Sequence, residues 1–90
     1  MSDAVVDNPE RRRFELPDQG QTTFADYRLD QDRVVILHVE TPPSLRGQGS
    51  AGRLMAGALD IIRTRGQKVV PVCPYAVAFI KRHREYQDLL

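Results

Sequence analysis

The chain has 90 residues and a mass of 10.2 kDa, room for one domain with a modest core, because a chain this short buries only about 60% of its unfolded surface. Apolar residues make up 41% and charged residues 28%, the balance of a globular rather than a disordered chain. Thirteen basic against twelve acidic residues leave a net charge of +1, which argues against a dedicated nucleic-acid binder, and no apolar run approaches the roughly twenty residues of a membrane span.

Met1 to Glu10 is polar, carries Asn8-Pro9 and lacks periodicity; it reads as part of a loose N-terminal arm over residues 1–12. Arg13 to Leu16 is a short strand, stopped by the turn Pro17-Asp18-Gln19-Gly20. Thr22 to Leu29 alternates, with Thr23, Ala25, Tyr27 and Leu29 on one side and Asp26 and Arg28 on the other, the period of a half-buried antiparallel strand. Asp30-Gln31-Asp32 is a hairpin turn, and Arg33 to Glu40 is the most strongly β segment. These three strands form a meander. Thr41-Pro42-Pro43-Ser44 is a loop. From Ser50 the period changes: Ala51, Leu54, Met55, Ala58, Leu59, Ile61 and Ile62 make the stripe of an amphipathic helix, with Arg53 on its polar face, and Gly66 supplies the stop. Lys68 to Cys73 is a buried fourth strand, expected to splay at Pro71, which has no N–H to offer a ladder. Tyr75 to Arg82 is a second helix with Val77, Phe79 and Ile80 inward, and the tail ends in Leu89-Leu90.

Charge divides along this order. Residues 1–50 hold six basic and nine acidic residues, and residues 51–90 hold seven basic and three acidic. The basic half contains Lys81-Arg82-His83-Arg84, either a solvated helix end that suits the macrodipole or a surface that meets an anion. The first twenty residues contain five carboxylates and no apolar stretch, so no secretory leader is expected. One cysteine closes no internal disulfide, and the expected compartment is the cytoplasm.

Three places could carry chemistry. The first is Arg46-Gly47-Gln48-Gly49-Ser50-Ala51-Gly52, between a strand and a helix. Glycines let backbone approach a ligand closely, a helix start attracts phosphate, and an arginine fork pairs with phosphate oxygens. The literal Gly47-x-Gly49-x-x-Gly52 match to a dinucleotide fingerprint fails, because Lys68 to Cys73 offers no acidic residue for a ribose. The second is Cys73, placed at an N-cap by Pro74, a setting shared by reactive thiols and by small buried hydrophobes. The third is His38-Val39-Glu40, where period two puts His38 and Glu40 on one face about 7 Å apart at Cα, as a base and an orienting carboxylate or as a plain strand-end pair. One cysteine and two histidines give no metal-binding spacing.

Arg46-x-x-Gly49-x-Ala51, after a strand and opening an amphipathic helix, resembles the acetyl-CoA motif of the GNAT superfamily of N-acetyltransferases. With it, His38-Val39-Glu40-Thr41-Pro42, Val69 to Tyr75 and Arg82-His83-Arg84-Glu85-Tyr86 resemble the small stand-alone GNAT-like domains, in the same order over residues 13–90. The sequence departs from that pattern in two places: His38-Val39-Glu40-Thr41 stands where such domains often read His-Thr-Glu-Val, and Arg84 stands in place of a proline.

The resemblance implies an α/β (α+β) domain with a minimal GNAT-like acyl-CoA N-acyltransferase fold, a mostly antiparallel sheet with two helices. It implies acetyl-CoA as cosubstrate and an unidentified amine acceptor; from the spacing, charge and run-length readings above, no metal is expected and neither nucleic acid nor membrane is expected as partner. Arg46, Gly47, Gln48, Gly49, Ser50, Ala51 and Gly52 would hold the pyrophosphate. Val39, Glu40 and Thr41 would line the pantetheine, with Cys73, Pro74 and Tyr75 near the thioester. Two routes stay open: direct attack by the amine with His38 or Glu40 as base, or prior transfer of the acetyl group to Cys73. A CoA-binding or interaction module without transfer activity is the competing class.

Overall fold

The computed structural model describes residues 5–90. Strands β1 (Val6–Asn8), β2 (Arg13–Asp18), β3 (Gln21–Asp30), β4 (Arg33–Glu40) and β5 (Lys68–Pro71) form one sheet in sequence order. The pairs from β1 to β4 are antiparallel, and β4–β5 is parallel. Helix α1 (Ser50–Thr64) makes the crossover from β4 to β5, and helix α2 (Pro74–Arg82) follows β5. Short 3-10 segments cover Pro43–Leu45 and Arg84–Leu89. This is the α/β arrangement expected from the sequence, a mostly antiparallel sheet with two helices. Among the described residues no helix is long and apolar enough to cross a membrane.

The core follows the periods that the sequence displays. Phe14, Leu16, Ala25, Val34 and Ile36 of the sheet meet Leu54, Met55, Ala58, Leu59 and Ile62 of α1 in one cluster. Helix α1 ends as expected, with Gly66 just past Arg65, and the N–H groups of Gly66 and Gln67 close back onto the carbonyls of Arg63 and Ile62 at 3.0 and 3.1 Å. In α2 the inward residues are Ala76, Phe79 and Ile80, the i, i+3, i+4 stripe of a helix that starts at Pro74. Val77, expected inward, falls off that stripe and is 38% exposed. Leu29, expected on the buried face, is exposed, because it lies beside the Gln31–Asp32 turn at the end of the hairpin. Leu89 is buried and Leu90 exposed.

Residues expected as a loose arm include β1, paired through Val6 with Glu15, Asp7 with Phe14 and Asn8 with Arg13. Asp7 explains the docking. Its carboxylate accepts from the Tyr27 hydroxyl at 2.5 Å and from Arg65 at 2.7 Å, partners that local periodicity cannot reveal. Residues 1–4 of the expected arm lie outside the described residues.

Both prolines within strands sit where the missing donor costs least. Strand β2 continues through Pro17, and the turn narrows to Gln19–Gly20. In a two-residue hairpin the pair next to the closing one makes no hydrogen bonds, so the Pro17 nitrogen faces away from β3, past the end of β1. In β5 the Lys68 N–H donates to Asp32 and the Val72 N–H to Ile36. Alternation therefore turns the Pro71 nitrogen to the free edge, and pairing continues to Ile36 and Pro71. The opening expected at Pro71 comes just after it.

Candidate functional site

The Arg46–Gly52 segment folds into a cradle at the start of α1. Gly47 and Gly49 hold φ at +82° and +81°, the left-handed region that costs other L-residues roughly 1–2 kcal/mol. Gly49 is the N-cap, and no side chain caps the helix. The first helical bond runs from the Arg53 N–H to the Gly49 carbonyl at 3.1 Å. The N–H groups of Ser50, Ala51 and Gly52 thus belong to the open first turn, where the helix dipole favours an anion.

Surrounding contacts fix this geometry. The buried Leu45 anchors the preceding 3-10 turn. The Arg46 Nε donates to the Thr41 carbonyl at 3.3 Å. The Gln48 amide donates to the Ser44 carbonyl at 3.2 Å, so this side chain braces the loop. Arg53, assigned by the sequence to a solvated face, donates to the Gln48 carbonyl at 3.3 Å and to Asp18 at 3.1 Å, tying α1 to the end of β2. A cavity of about 240 Å³ opens beside the cradle, bordered by Thr41, Arg46, Gly47, Gly49, Ser50, Ala51, Gly52 and Tyr75.

A larger cavity of about 420 Å³ lies between α1 and α2 and shares Gly49, Gly52 and Tyr75 with the first. The two form one trough that bends around the first turn of α1. A Cβ on Gly52 would stand 3.7 Å from the Tyr75 hydroxyl and 3.8 Å from Phe79, so a larger side chain there would narrow the trough. Phe79 and His83 stack at 4.0 Å between ring centroids, and the His83 Nδ1 lies 2.8 Å from the Phe79 carbonyl. Arg82 and Tyr86 also line this cavity. Burial pushes the Tyr75 hydroxyl pKa up, and the nearby Arg82 charge opposes that push. Phe79, Arg82, His83 and Tyr86 were not among the sequence-expected site residues; the run Lys81 to Arg84 was the available signal.

Beyond Ile36 the sheet opens. The Val72 and Cys73 N–H groups both donate to the Ile36 carbonyl, at 2.9 and 3.0 Å, and the chain then turns into α2. Strand β4 continues to Glu40 without a β5 partner. A register shift makes Leu37 the extra residue, since Tyr27 faces Ile36 while Asp26 faces His38. The unpaired β4 edge, including Val39, borders a gap between the diverging strands.

The remaining expected residues fall around these features. His38 and Glu40 share a face, with Nε2 to Oε1 at 3.0 Å, and their side chains are 56% and 53% exposed. Cys73 is the N-cap of α2 with Pro74 behind it, but the residue is only 7% exposed and packs in the core cluster. Thus the cradle apart from Gln48 comes together with Thr41 and Tyr75 on one trough, whereas His38, Val39, Glu40, Gln48, Cys73 and Pro74 line neither of its two cavities.

Comparison with known proteins adds to this geometry. No curated protein sequence matches the chain. Among solved structures, the solution structure of a GCN5-like protein from Staphylococcus aureus superposes with a TM-score of 0.73 at 22% identity, covering 99% of this chain and 89% of that one; at this identity the likeness is one of fold. The sequence profile of the GCN5-related N-acetyltransferases matches residues 13–89, the whole span from β2 through the last 3-10 segment, and the chain belongs to that family.

Proposed function

We propose that the protein binds acetyl-CoA along the trough and transfers its acetyl group to an amine. The observation that carries this reading is the uncapped first turn of α1 behind two left-handed glycines. That arrangement presents N–H donors and a positive dipole end to a pyrophosphate, with Arg46 beside it. From the cradle the pantetheine runs past Thr41 into the gap between β4 and β5. Strand β4 has no β5 partner there, and its free edge at Val39 meets the pantetheine.

In the direct route a neutral amine attacks the thioester carbon. A nitrogen–carbon bond forms, the carbon–sulfur bond breaks and CoA leaves as thiolate. The amine's proton passes to the His38–Glu40 pair through water. The Tyr75 hydroxyl, at the junction of the two cavities, returns a proton to the thiolate. Burial of Cys73 in the core cluster favours this route over an acetyl-cysteine intermediate. A second reading, a CoA-binding module without transfer activity, draws on one observation: His38 and Glu40 are more than half exposed and line neither cavity. Amine-dependent release of free CoA thiol separates the two.

Calorimetric titration with CoA tests the central claim. Gly49→Asp places a carboxylate against the phosphates and should abolish measurable binding. A Cβ at Gly49 meets nothing within 4 Å, so its structural cost is the backbone term of roughly 1–2 kcal/mol and the domain should stay folded. Unchanged affinity in folded Gly49→Asp rejects the reading.

A further inference from the structure

The turn that joins β2 to β3 lies against the cradle loop and the first turn of α1. The Asp18 carboxylate accepts from the Arg53 guanidinium at 3.1 Å, the Gln19 amide donates to the Gln48 side chain at 3.5 Å, and the Gln21 amide donates to the Ser44 hydroxyl. Asp18 lines neither cavity of the trough, so any effect on a ligand there must pass through another residue. Arg53 is that residue, because the same guanidinium donates to the Gln48 carbonyl at 3.3 Å. The peptide joining Gln48 to Gly49 is trans, so its carbonyl and its N–H point in opposite directions. Holding the Gln48 oxygen towards Arg53 therefore aims the Gly49 N–H away from Arg53. Gly49 itself supplies no such constraint. It holds φ at +81°, but a glycine reaches negative φ as readily, so turning this peptide over costs its backbone little. A peptide turned over presents an oxygen where an anion needs a donor.

Resting on the acetyl-CoA reading above, we propose that Asp18 is a positioning residue for the cosubstrate: through Arg53 it locks the Gln48–Gly49 peptide with its N–H facing the pyrophosphate. Asp18 then has two effects of opposite sign. Its negative charge repels a polyanion in the cradle, while its hold on Arg53 keeps a donor turned towards that polyanion. The positioning effect prevails. The Asp18 and Arg53 side chains are 26% and 38% exposed, so solvent screens the repulsion, and Arg53 offsets it with the opposite charge. Arg53 also donates to the Ser50 hydroxyl at 3.4 Å, which joins the first helical residue to the same brace. The end of β2, remote in sequence from the glycines, thus sets how well the cradle receives phosphate.

The sign of the effect makes the test. Calorimetric titration with CoA at one ionic strength compares the wild type with Asp18→Ala and Asp18→Asn. Removing a carboxylate near bound phosphates should by itself tighten binding. Loss of the brace should instead weaken it by about tenfold in Asp18→Ala, the lower end of what a lost charge-assisted hydrogen bond costs. Asp18→Asn keeps an acceptor oxygen for Arg53 and should restore part of the affinity; it also serves if Asp18→Ala does not fold. Arg53→Ala should weaken binding as well, and adding Asp18→Ala to it should change nothing further. In the unliganded protein, the Gly49 amide resonance should move in Asp18→Ala while the core amides of Ile36 and Leu59 stay in place. Equal or tighter CoA binding by folded Asp18 variants overturns the proposal and leaves acetyl-CoA binding intact. Additive effects of Asp18→Ala and Arg53→Ala overturn it too, as does equal movement of the Gly49 and core resonances, which would make Asp18 merely structural. Failure of the wild type to bind CoA removes the acetyl-CoA reading and the proposal together.

Discussion

Replacing Gly57 with alanine sets two effects of opposite sign against each other. Gly57 lies in the interior of α1, where alanine normally stabilises a helix by about 0.8–1 kcal/mol. A Cβ at this position would stand 2.4 Å from Val5 Cγ2 and 2.6 Å from Val5 Cβ. Rotating χ1 of Val5 can move Cγ2 but not Cβ, so the backbone ahead of β1 must shift. Shifting it strains the pairing of Val6, Asp7 and Asn8 with β2 and the Asp7 bonds to Tyr27 and Arg65. The damage has a ceiling, because the arm can always detach, and the helix gain then remains. Hydrogen bonds to a charged group contribute about 1.5–3 kcal/mol each, so the two Asp7 bonds put arm docking at roughly 3–6 kcal/mol and the ceiling on the net loss at about 2–5 kcal/mol. For a domain of this size each kcal/mol lowers Tm by about 4–8 °C. Urea unfolding of Gly57→Ala in the wild-type and Val5→Gly backgrounds measures both halves. Destabilisation should turn into stabilisation of about 1 kcal/mol once Val5 is gone. Equal stabilisation in both backgrounds would refute the packing of Val5 on α1.

Tyr27 should make stability sensitive to alkali. Burial and its hydrogen bond to Asp7 raise its pKa from 10.0 to about 12, so the folded state holds this proton more tightly than the unfolded chain. Its contribution is complete below pH 10 and is lost as pH rises from 10 through about 12, a total of about 2–3 kcal/mol. Urea midpoints of Tyr27→Phe across that window should fall less steeply than those of the wild type; parallel curves would mean that Tyr27 titrates normally. Cys73 should react with a thiol reagent at least about tenfold more slowly in native protein than in urea, as expected of a buried thiol, and intact mass after incubation with acetyl-CoA alone should show no acetyl adduct. Rapid native labelling, or an adduct that forms and turns over with amine, would restore the covalent route.

What could be read from the sequence depended on how local its cause is. The amphipathic stripe from Leu54 to Ile62 and the alternation of Thr23, Ala25 and Tyr27 carry their burial in their own spacing. The stop at Gly66 and the N-cap at Cys73 are marked by single residues, and the glycines at 47 and 49 announce a turn that the backbone takes. Local reading failed where a distant partner decides. Asp7 docks β1 by reaching Tyr27 and Arg65, and Arg53 turns from a solvated position to Asp18. Pro17 and Pro71 looked like breaks because a bare sequence does not say which way a proline nitrogen faces. The site divides the same way. The cradle is contiguous in sequence and legible, whereas the aromatic wall is assembled by α2 folding back against Gly52. Placement of Cys73, His38 and Glu40 along the chain said nothing about their exposure.

The parallel pairing of β4 with β5 also governs when the cradle can exist. Strands β2, β3 and β4 are linked by two-residue turns, contacts that close within microseconds in isolated hairpins. Pairing Arg33 with Lys68 instead requires the whole crossover to be in place, a loop closure whose entropy must be met before its contacts form. The cradle and α1 lie inside that crossover, and the trough needs α2 as its far wall. A chain caught with only its hairpins formed has a sheet and no ligand site. If the trough binds acetyl-CoA as proposed, the ligand acts on the part of the molecule that closes after the hairpins, so it should stabilise the finished state without helping the early hairpins and slow unfolding more than it speeds folding.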